Sequence, residues 1–369
     1  MSSQIRCHLL LATLLLMLGM QARGCSVPVF RYALEHWKAA PFQAFVFHRG
    51  PLNEAQQNAA RDLGSDGLAG KLRANISLRT VDLDQDPPPE LLELSREAGG
   101  DSLPWLVVKF PATNRRTTTI WSGPPDAASV ARLLDSPARQ EIVQRLTDGQ
   151  SAVWVLLESG ETADDAAAAR LLEDRLNYLA SVLELPKLDA QDIANGLISV
   201  GEEGLRLEFS ILRLSRDDPR ERPFVQMLLG AEADLDSVKT PIVFPVFGQG
   251  RALYALAGDG IREETIEKAA TFLIGKCSCE VKEQNPGMDL LLAADWKAVV
   301  QSQTSGIPDL PTMAEITRTA PVTVTISPGV ATAVSDGGKS GSRLAIWIAV
   351  GALILAMLLP IGIALRRRK

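Results

Sequence analysis

Hydrophobic residues recur with two different spacings along the central part of the chain. Continuous apolar runs such as WLVVKF are typical of strands buried on both faces. Segments such as EETIEKAATFLIG instead repeat apolar residues every three or four positions, as amphipathic helices do. After a first helix over Pro28–Trp37, these patterns predict the order β-α-β-α-β-β-α twice. The chain is therefore predicted to be an α/β protein with two similar halves.

The second copy of this order begins at a predicted strand over Ala152–Ser159. We therefore predict two domains, residues 25–150 and 151–300, each close to the usual size of about 100–150 residues. Among the elements, the pattern predicts one long helix over Ala127–Asp148 and one strand over Ala252–Gly258.

The N-terminal residues 1–24 have the pattern of a secretory signal peptide. Arg6 supplies the early positive charge, and an apolar run over Leu9–Met20 is followed by small residues before Cys25. The alternative is an uncleaved anchor helix, but the apolar run is shorter than the roughly 20 residues that a span requires. Export removes Cys7 with the signal peptide.

At the other end, residues 344–365 form an uncharged apolar run, and the basic tail 366–369 follows at once. This pattern predicts one transmembrane helix with its C-terminus in the cytoplasm. Residues 301–343 are rich in Thr, Ser, Pro and Gly and are predicted to form a flexible stalk. The expected location is thus the cytoplasmic membrane, with a periplasmic body. A protease-processed C-terminal sorting signal is the alternative.

This topology limits the classes of partner. We expect contact with the membrane and with a membrane or periplasmic protein whose identity the sequence does not give. The net charge of −6 provides no basic face, which excludes nucleic acid as an expected partner.

The element order and two prolines resemble the thioredoxin fold. In each half a proline immediately precedes the third strand, Pro104 before WLVV and Pro241 before IVF. The body therefore resembles two tandem thioredoxin-like domains, similar in layout to the non-redox domains of the protein disulfide isomerase superfamily. The resemblance implies the fold and implies Pro104 and Pro241 as its hallmark prolines, which are usually cis in that family.

The family's redox motif is missing from both halves. Thioredoxins place Cys-x-x-Cys where the first strand meets the next helix, since the helix N-terminus lowers a thiol pKa. The corresponding segments here are FHRGPLNEAQ and ESGETADD, and neither contains cysteine. We therefore expect no catalytic residue at this position, and a non-enzymatic binding or scaffold protein.

His48 and Arg49 lie in the first of these two segments. One hypothesis makes them an anion- or peptide-binding pair at a helix N-terminus. In the alternative, His48 caps a loop and Arg49 is solvated.

The mature chain is expected to keep Cys25, Cys277 and Cys279. The two cysteines of the Cys-Ser-Cys segment have three possible fates. They form a labile redox disulfide; or they bind Cu(I) or Zn(II) as thiolates, with or without Cys25; or one of them forms a structural disulfide with Cys25. Cys25 also lies where a lipidated N-terminus could form. No other cofactor is expected.

Overall fold

The computed structural model describes residues 25–64, 73–97, 99, 102–112, 119–277 and 281–304. The first half contains five helices and four strands within these ranges. In chain order they are α1 (Val29–His36), β1 (Phe42–His48), α2 (Glu54–Leu63), β2 (Ile76–Asp82), α3 (Pro89–Glu97), β3 (Trp105–Lys109), β4 (Thr119–Gly123), α4 (Ala127–Leu134) and α5 (Pro137–Thr147).

The second half adds five helices and six strands in the described ranges. They are β5 (Ala152–Glu158), α6 (Thr162–Val182), α7 (Ala190–Ala194), β6 (Phe209–Ser215), α8 (Arg222–Leu229), β7 (Ile242–Phe247), β8 (Arg251–Ala252), β9 (Leu256–Ala257), α9 (Glu263–Ile274), β10 (Met288–Asp289) and α10 (Trp296–Thr304). The protein is a mixed α/β structure, as the sequence predicted.

The strands form two mixed sheets with a shared pattern. The first has four strands in the order β2-β1-β3-β4, and the second contains β10-β8-β7-β5-β6, with β9 also paired to β7. In each sheet the first strand of the half is parallel to the second and antiparallel to the third. The inner strands β5 and β7 are buried along nearly their whole length, which explains their continuous apolar sequences.

The single helix predicted over Ala127–Asp148 is wrong, because the structure has two helices there. Ser136 is extended and Pro137 opens α5, as expected where proline disfavours helical backbone in the preceding residue. The buried Arg139 then donates to the carbonyl oxygens of Arg132 (2.8 Å) and Leu133 (2.6 Å) at the end of α4. Burial lowers the pKa of Arg139 to about 10.

The strand predicted over Ala252–Gly258 is also divided. The structure pairs β8 and β9 with different parts of β7, and residues 253–255 between them belong to neither strand, although the amide of Leu253 donates to the carbonyl oxygen of Pro245 at 2.9 Å. These residues form part of a surface pocket described below.

A shared core joins the two sheets. One buried cluster contains Phe42 and Leu106 of the first sheet together with Val155 and Phe244 of the second. The described residues fall within a single compact unit. The boundary predicted at residue 150 separates two sheets that share a hydrophobic core.

Helix α1 packs on the second half, although it is the first element of the first half in sequence. Pro28 forms an antiparallel bridge with Lys276, and the amide of Cys277 donates to the carbonyl oxygen of Val27 at 2.9 Å. Further along, a buried ion pair joins Arg31 and Glu35 of α1 at 2.5 Å. The helix is thus held by the last helix–strand connection of the second half.

A segment we call the return segment, residues 288–294, runs back to the first half. Asn75 donates to the carbonyl oxygens of Ala40 (2.9 Å) and Leu290 (3.0 Å), and it accepts from the amide of Leu292 (3.1 Å). Ala74 and Ala293 form an antiparallel bridge. The return segment therefore connects the second sheet to the start of β2.

The predicted end regions fall mostly outside the described residues. This applies to the signal peptide 1–24, residues 305–343 of the stalk, the transmembrane helix 344–365 and the tail 366–369. The first residues of the predicted stalk, 301–304, belong to α10 instead. None of the helices in the described part of the chain has the length and apolarity that crossing a bilayer requires.

Candidate functional site

The first strand–helix junction connects β1 to α2. The strand ends at His48, whose Nδ1 lies 2.8 Å from the carbonyl oxygen of Gly50. The next residue, Arg49, forms an ion pair with Asp84, with 60% and 50% of the two side chains exposed. Arg49 therefore has an acidic neighbour within the protein. Anion or peptide binding by His48 and Arg49 stays a prediction.

The N-terminus of α2 is closed by a capping box. Asn53 accepts a hydrogen bond from the amide of Gln56 at 2.9 Å, and the Gln56 side chain accepts from the amide of Asn53 at 3.0 Å. This reciprocal arrangement satisfies two amides that a helix start otherwise leaves exposed. The Asn-x-x-Gln spacing in the sequence specifies this cap.

Pro104 lies beside this junction. The Leu103–Pro104 peptide bond is cis, and the next residue, Trp105, is paired with Phe47 in the sheet. Trp105 packs with Leu103 against a small buried cluster that includes Phe47. The structure thus brings Pro104 close to His48, at one end of the first sheet.

The second junction, between β5 and α6, is built around a buried carboxylate. Asp165 accepts hydrogen bonds from the amides of Ser159 (2.7 Å) and Gly160 (3.0 Å) and from the Ser159 hydroxyl (2.8 Å). Only 4% of Asp165 is exposed. Because these donors belong to the turn after β5, Asp165 fixes the backbone at the place where a redox motif would lie.

Arg216 occupies the space beside this turn. Its guanidinium donates to the carbonyl oxygens of Glu158 (3.0 Å), Val238 (2.8 Å) and Thr240 (2.8 Å). Burial lowers the pKa of Arg216, and the charge of Asp165 partly opposes that shift. Arg216 therefore links the end of β5 to the loop before Pro241, whose Thr240–Pro241 bond is trans.

The predicted cysteine site is described only in part. Cys25 and Cys277 lie in the same hydrophobic cluster, with 6% and 1% of each residue exposed. Cys279 lies outside the described residues. Within the described ranges, no group of three or more His, Cys, Asp or Glu side chains is placed to hold a metal ion.

Sequence reasoning missed Asp165 and Arg216 as determinants of the second junction. Asp165 lies in the segment ESGETADD after β5, which entered the prediction only through its lack of cysteine. Arg216 comes immediately after β6, which is parallel to β5, so both strands end at the same sheet edge. A charged residue directly after the strand that pairs with β5 could have indicated from the sequence that Arg216 lies at the second junction.

No protein-family model matches the chain. No curated protein is significantly similar to it in sequence.

Proposed function

We propose that this protein is a membrane-tethered, extracytoplasmic binding or scaffold protein built on two redox-inactive thioredoxin-like domains. The repeated sheet order supports the fold, because β6-β5-β7-β8 follows the same arrangement as β2-β1-β3-β4. A proline precedes the third strand of each half. The N- and C-terminal sequence patterns support the membrane tether.

One observation carries the functional part of the proposal. Both strand–helix junctions lack cysteine, and the second holds Asp165 and Arg216 in a network of hydrogen bonds to the backbone. Thiol–disulfide exchange needs a low-pKa, accessible thiolate at that place. A junction filled by a carboxylate and a guanidinium supports structure instead, so the scaffold role fits better than an oxidoreductase role.

Insulin reduction driven by dithiothreitol tests the redox-inactive part. Full-length protein in detergent micelles and its Cys25→Ser/Cys277→Ser/Cys279→Ser variant should both leave the rate at its uncatalysed value. A rate increase that depends on the cysteines would overturn the proposal. Metal content of the same two samples, measured by mass spectrometry, tests Cu or Zn handling, and stoichiometric metal lost in the variant would favour that function.

A photo-cross-linking residue tests the binding part. Placed at Arg49, on the exposed first junction, it should yield discrete protein adducts in membranes of the native cell. Placed at Asp164, an exposed position beside the second junction, it should give none. Equal adduct patterns at both positions would contradict a partner surface at the first junction.

A further inference from the structure

A pocket of about 390 Å³ lies on the second half, away from both strand–helix junctions. It is lined by residues that follow α8, by β7, by the connection between β8 and β9, and by the residues that lead into β10. Its volume falls in the range of about 300–1,000 Å³ that is usual for ligand sites. The pocket is thus large enough to receive one side chain or a small organic cation.

The floor of the pocket is apolar and well packed. Phe244, Ala252 and Met288 line it, with only 1%, 3% and 8% of each residue exposed. All three belong to the core that joins the two sheets. An occupant would therefore contact a rigid apolar surface that favours a hydrocarbon stem.

One wall is fixed by backbone and charge contacts. Gly287 has φ +116°, and a Cβ there would lie 2.5 Å from the carbonyl oxygen of Ala252, so this backbone approaches the floor closely. Arg251 donates to the carbonyl oxygens of Asn285 (2.9 Å) and Pro286 (3.1 Å). It forms an ion pair at 3.2 Å with the buried Asp289, which also pairs with Lys282 at 2.7 Å. The wall is therefore preformed, which lowers the ordering cost of binding.

The rim supplies one negative charge. Glu232 is exposed and contributes the one charged side chain among the described residues that line the pocket. It forms no ion pair with any described basic residue, and its Oε1 accepts a hydrogen bond from the amide of Ala255 at 3.3 Å. Tyr254 is also on the rim, and burial raises the pKa of its hydroxyl, which stays protonated at neutral pH.

We propose that this pocket receives an arginine side chain from a partner protein. The stem would lie on Phe244 and Met288, and the guanidinium would pair with Glu232 beside the Tyr254 ring. Guanidinium groups combine bidentate pairing to carboxylates with stacking on aromatic rings, which suits this pair of rim residues. The rim also includes Ala231 and Ala255, whose small side chains leave room for a peptide backbone. This site goes beyond the proposed function. Its occupancy does not depend on either strand–helix junction.

Methyl NMR on the full-length protein in detergent micelles tests the site. The probe is the blocked tripeptide Ala-Arg-Ala, and its citrulline counterpart is an uncharged control of equal shape. The Met288 methyl signal, assigned with Met288→Leu, should shift saturably with the arginine peptide in the millimolar range. The citrulline peptide should bind about fivefold more weakly, the upper range for a partly exposed ion pair.

Two variants separate charge recognition from folding. Glu232→Gln should remove the preference for arginine over citrulline, whereas Glu184→Gln, at an exposed position elsewhere, should keep it. Butylguanidinium tests whether the ligand is a free small cation. The proposal is overturned if the arginine peptide gives no saturable shift, if citrulline binds equally well to the native protein, or if butylguanidinium binds and the peptide does not.

Discussion

The two strand–helix junctions hold equivalent places in their sheets but have different surroundings. At the first, Arg49 pairs with Asp84 and both side chains are at least half exposed. At the second, Arg216 donates to three backbone carbonyl oxygens, and the neighbouring Asp165 is buried. The same chemical types, an arginine and an aspartate, thus form a surface pair in one half and an internal support in the other.

Equivalent positions in the two sheets therefore have different roles, one in stability and the other at the surface. Removing a charged side chain that is hydrogen-bonded to several backbone groups leaves those groups without a partner, which costs free energy. The second junction therefore contributes to stability. A solvated ion pair exchanges readily with water or a ligand, so the first junction is able to take part in binding. Substitutions at the two junctions should therefore differ in their effect on the free energy of unfolding.

The largest effect is expected from Asp165→Ala. It removes the acceptor of three hydrogen bonds in the turn after β5, and we expect a loss of about 3 kcal/mol in the free energy of unfolding. Urea unfolding of the full-length protein in detergent, followed by tryptophan fluorescence, measures this loss. Asp164→Ala, at the exposed neighbouring position, should change stability by less than about 0.5 kcal/mol. Equal losses in both variants would contradict the internal role of Asp165.

The next largest effect is expected from Arg216→Ala. The carbonyl oxygens of Val238 and Thr240 lose their charged donor, which should cost about 2 kcal/mol in the same measurement. Arg213→Ala is the matched control, because Arg213 pairs with Glu158 while 55% of its side chain is exposed. The control should lose less than about 1 kcal/mol.

A double variant sharpens this prediction. Because Asp165 and Arg216 hydrogen-bond to the adjacent backbone groups of Ser159 and Glu158, the two substitutions should not be additive, with a coupling of about 0.5–3 kcal/mol. Strict additivity would mean that the two side chains support the junction independently.

A smaller effect is expected from Asn53→Ala at the first junction. This change removes the capping box of α2 and should cost about 1 kcal/mol of stability. Asn53→Ser restores a side-chain acceptor and should recover most of the loss. Thermal unfolding followed by circular dichroism compares the variants, and equal melting temperatures for Ala and Ser would contradict the capping role.

The smallest effect on stability is expected from Arg49→Ala. Since the ion pair with Asp84 is exposed, the free energy of unfolding should change by less than about 0.5 kcal/mol. Asp84→Ala should behave in the same way. A loss of about 2 kcal/mol for Arg49→Ala would show that the first junction is an internal support like the second, and the comparison would fail.

Much of the fold could be predicted because its strands carry strong local signals. The strand predicted immediately after Pro241 is present as β7, and it begins at the expected residue, Ile242. Helix α9, predicted over Glu263–Gly275, ends one residue earlier. In both cases the spacing of the apolar residues follows the burial of the element. The sequence of the element alone is therefore sufficient to predict it.

The remainder depends on contacts between distant residues. Leu290–Leu292 is a short apolar run whose partners, Asn75 and Gly250, lie far away in the sequence. The break between α4 and α5 had a local signal in Pro137, but the apolar spacing continued through it. At the candidate site, the sequence located both junctions, whereas the backbone partners of Arg216 became visible only in three dimensions.

The return segment also determines when the molecule can finish folding. Asn75 finds two of its three partners only after Leu290 and Leu292 have been synthesised, and α1 finds its partners only after residues 275–277. Contacts across such long separations slow folding and leave intermediates with incomplete packing. The first half therefore stays incompletely packed until nearly the whole body has been synthesised, so the chain is most exposed to proteases and aggregation at that stage.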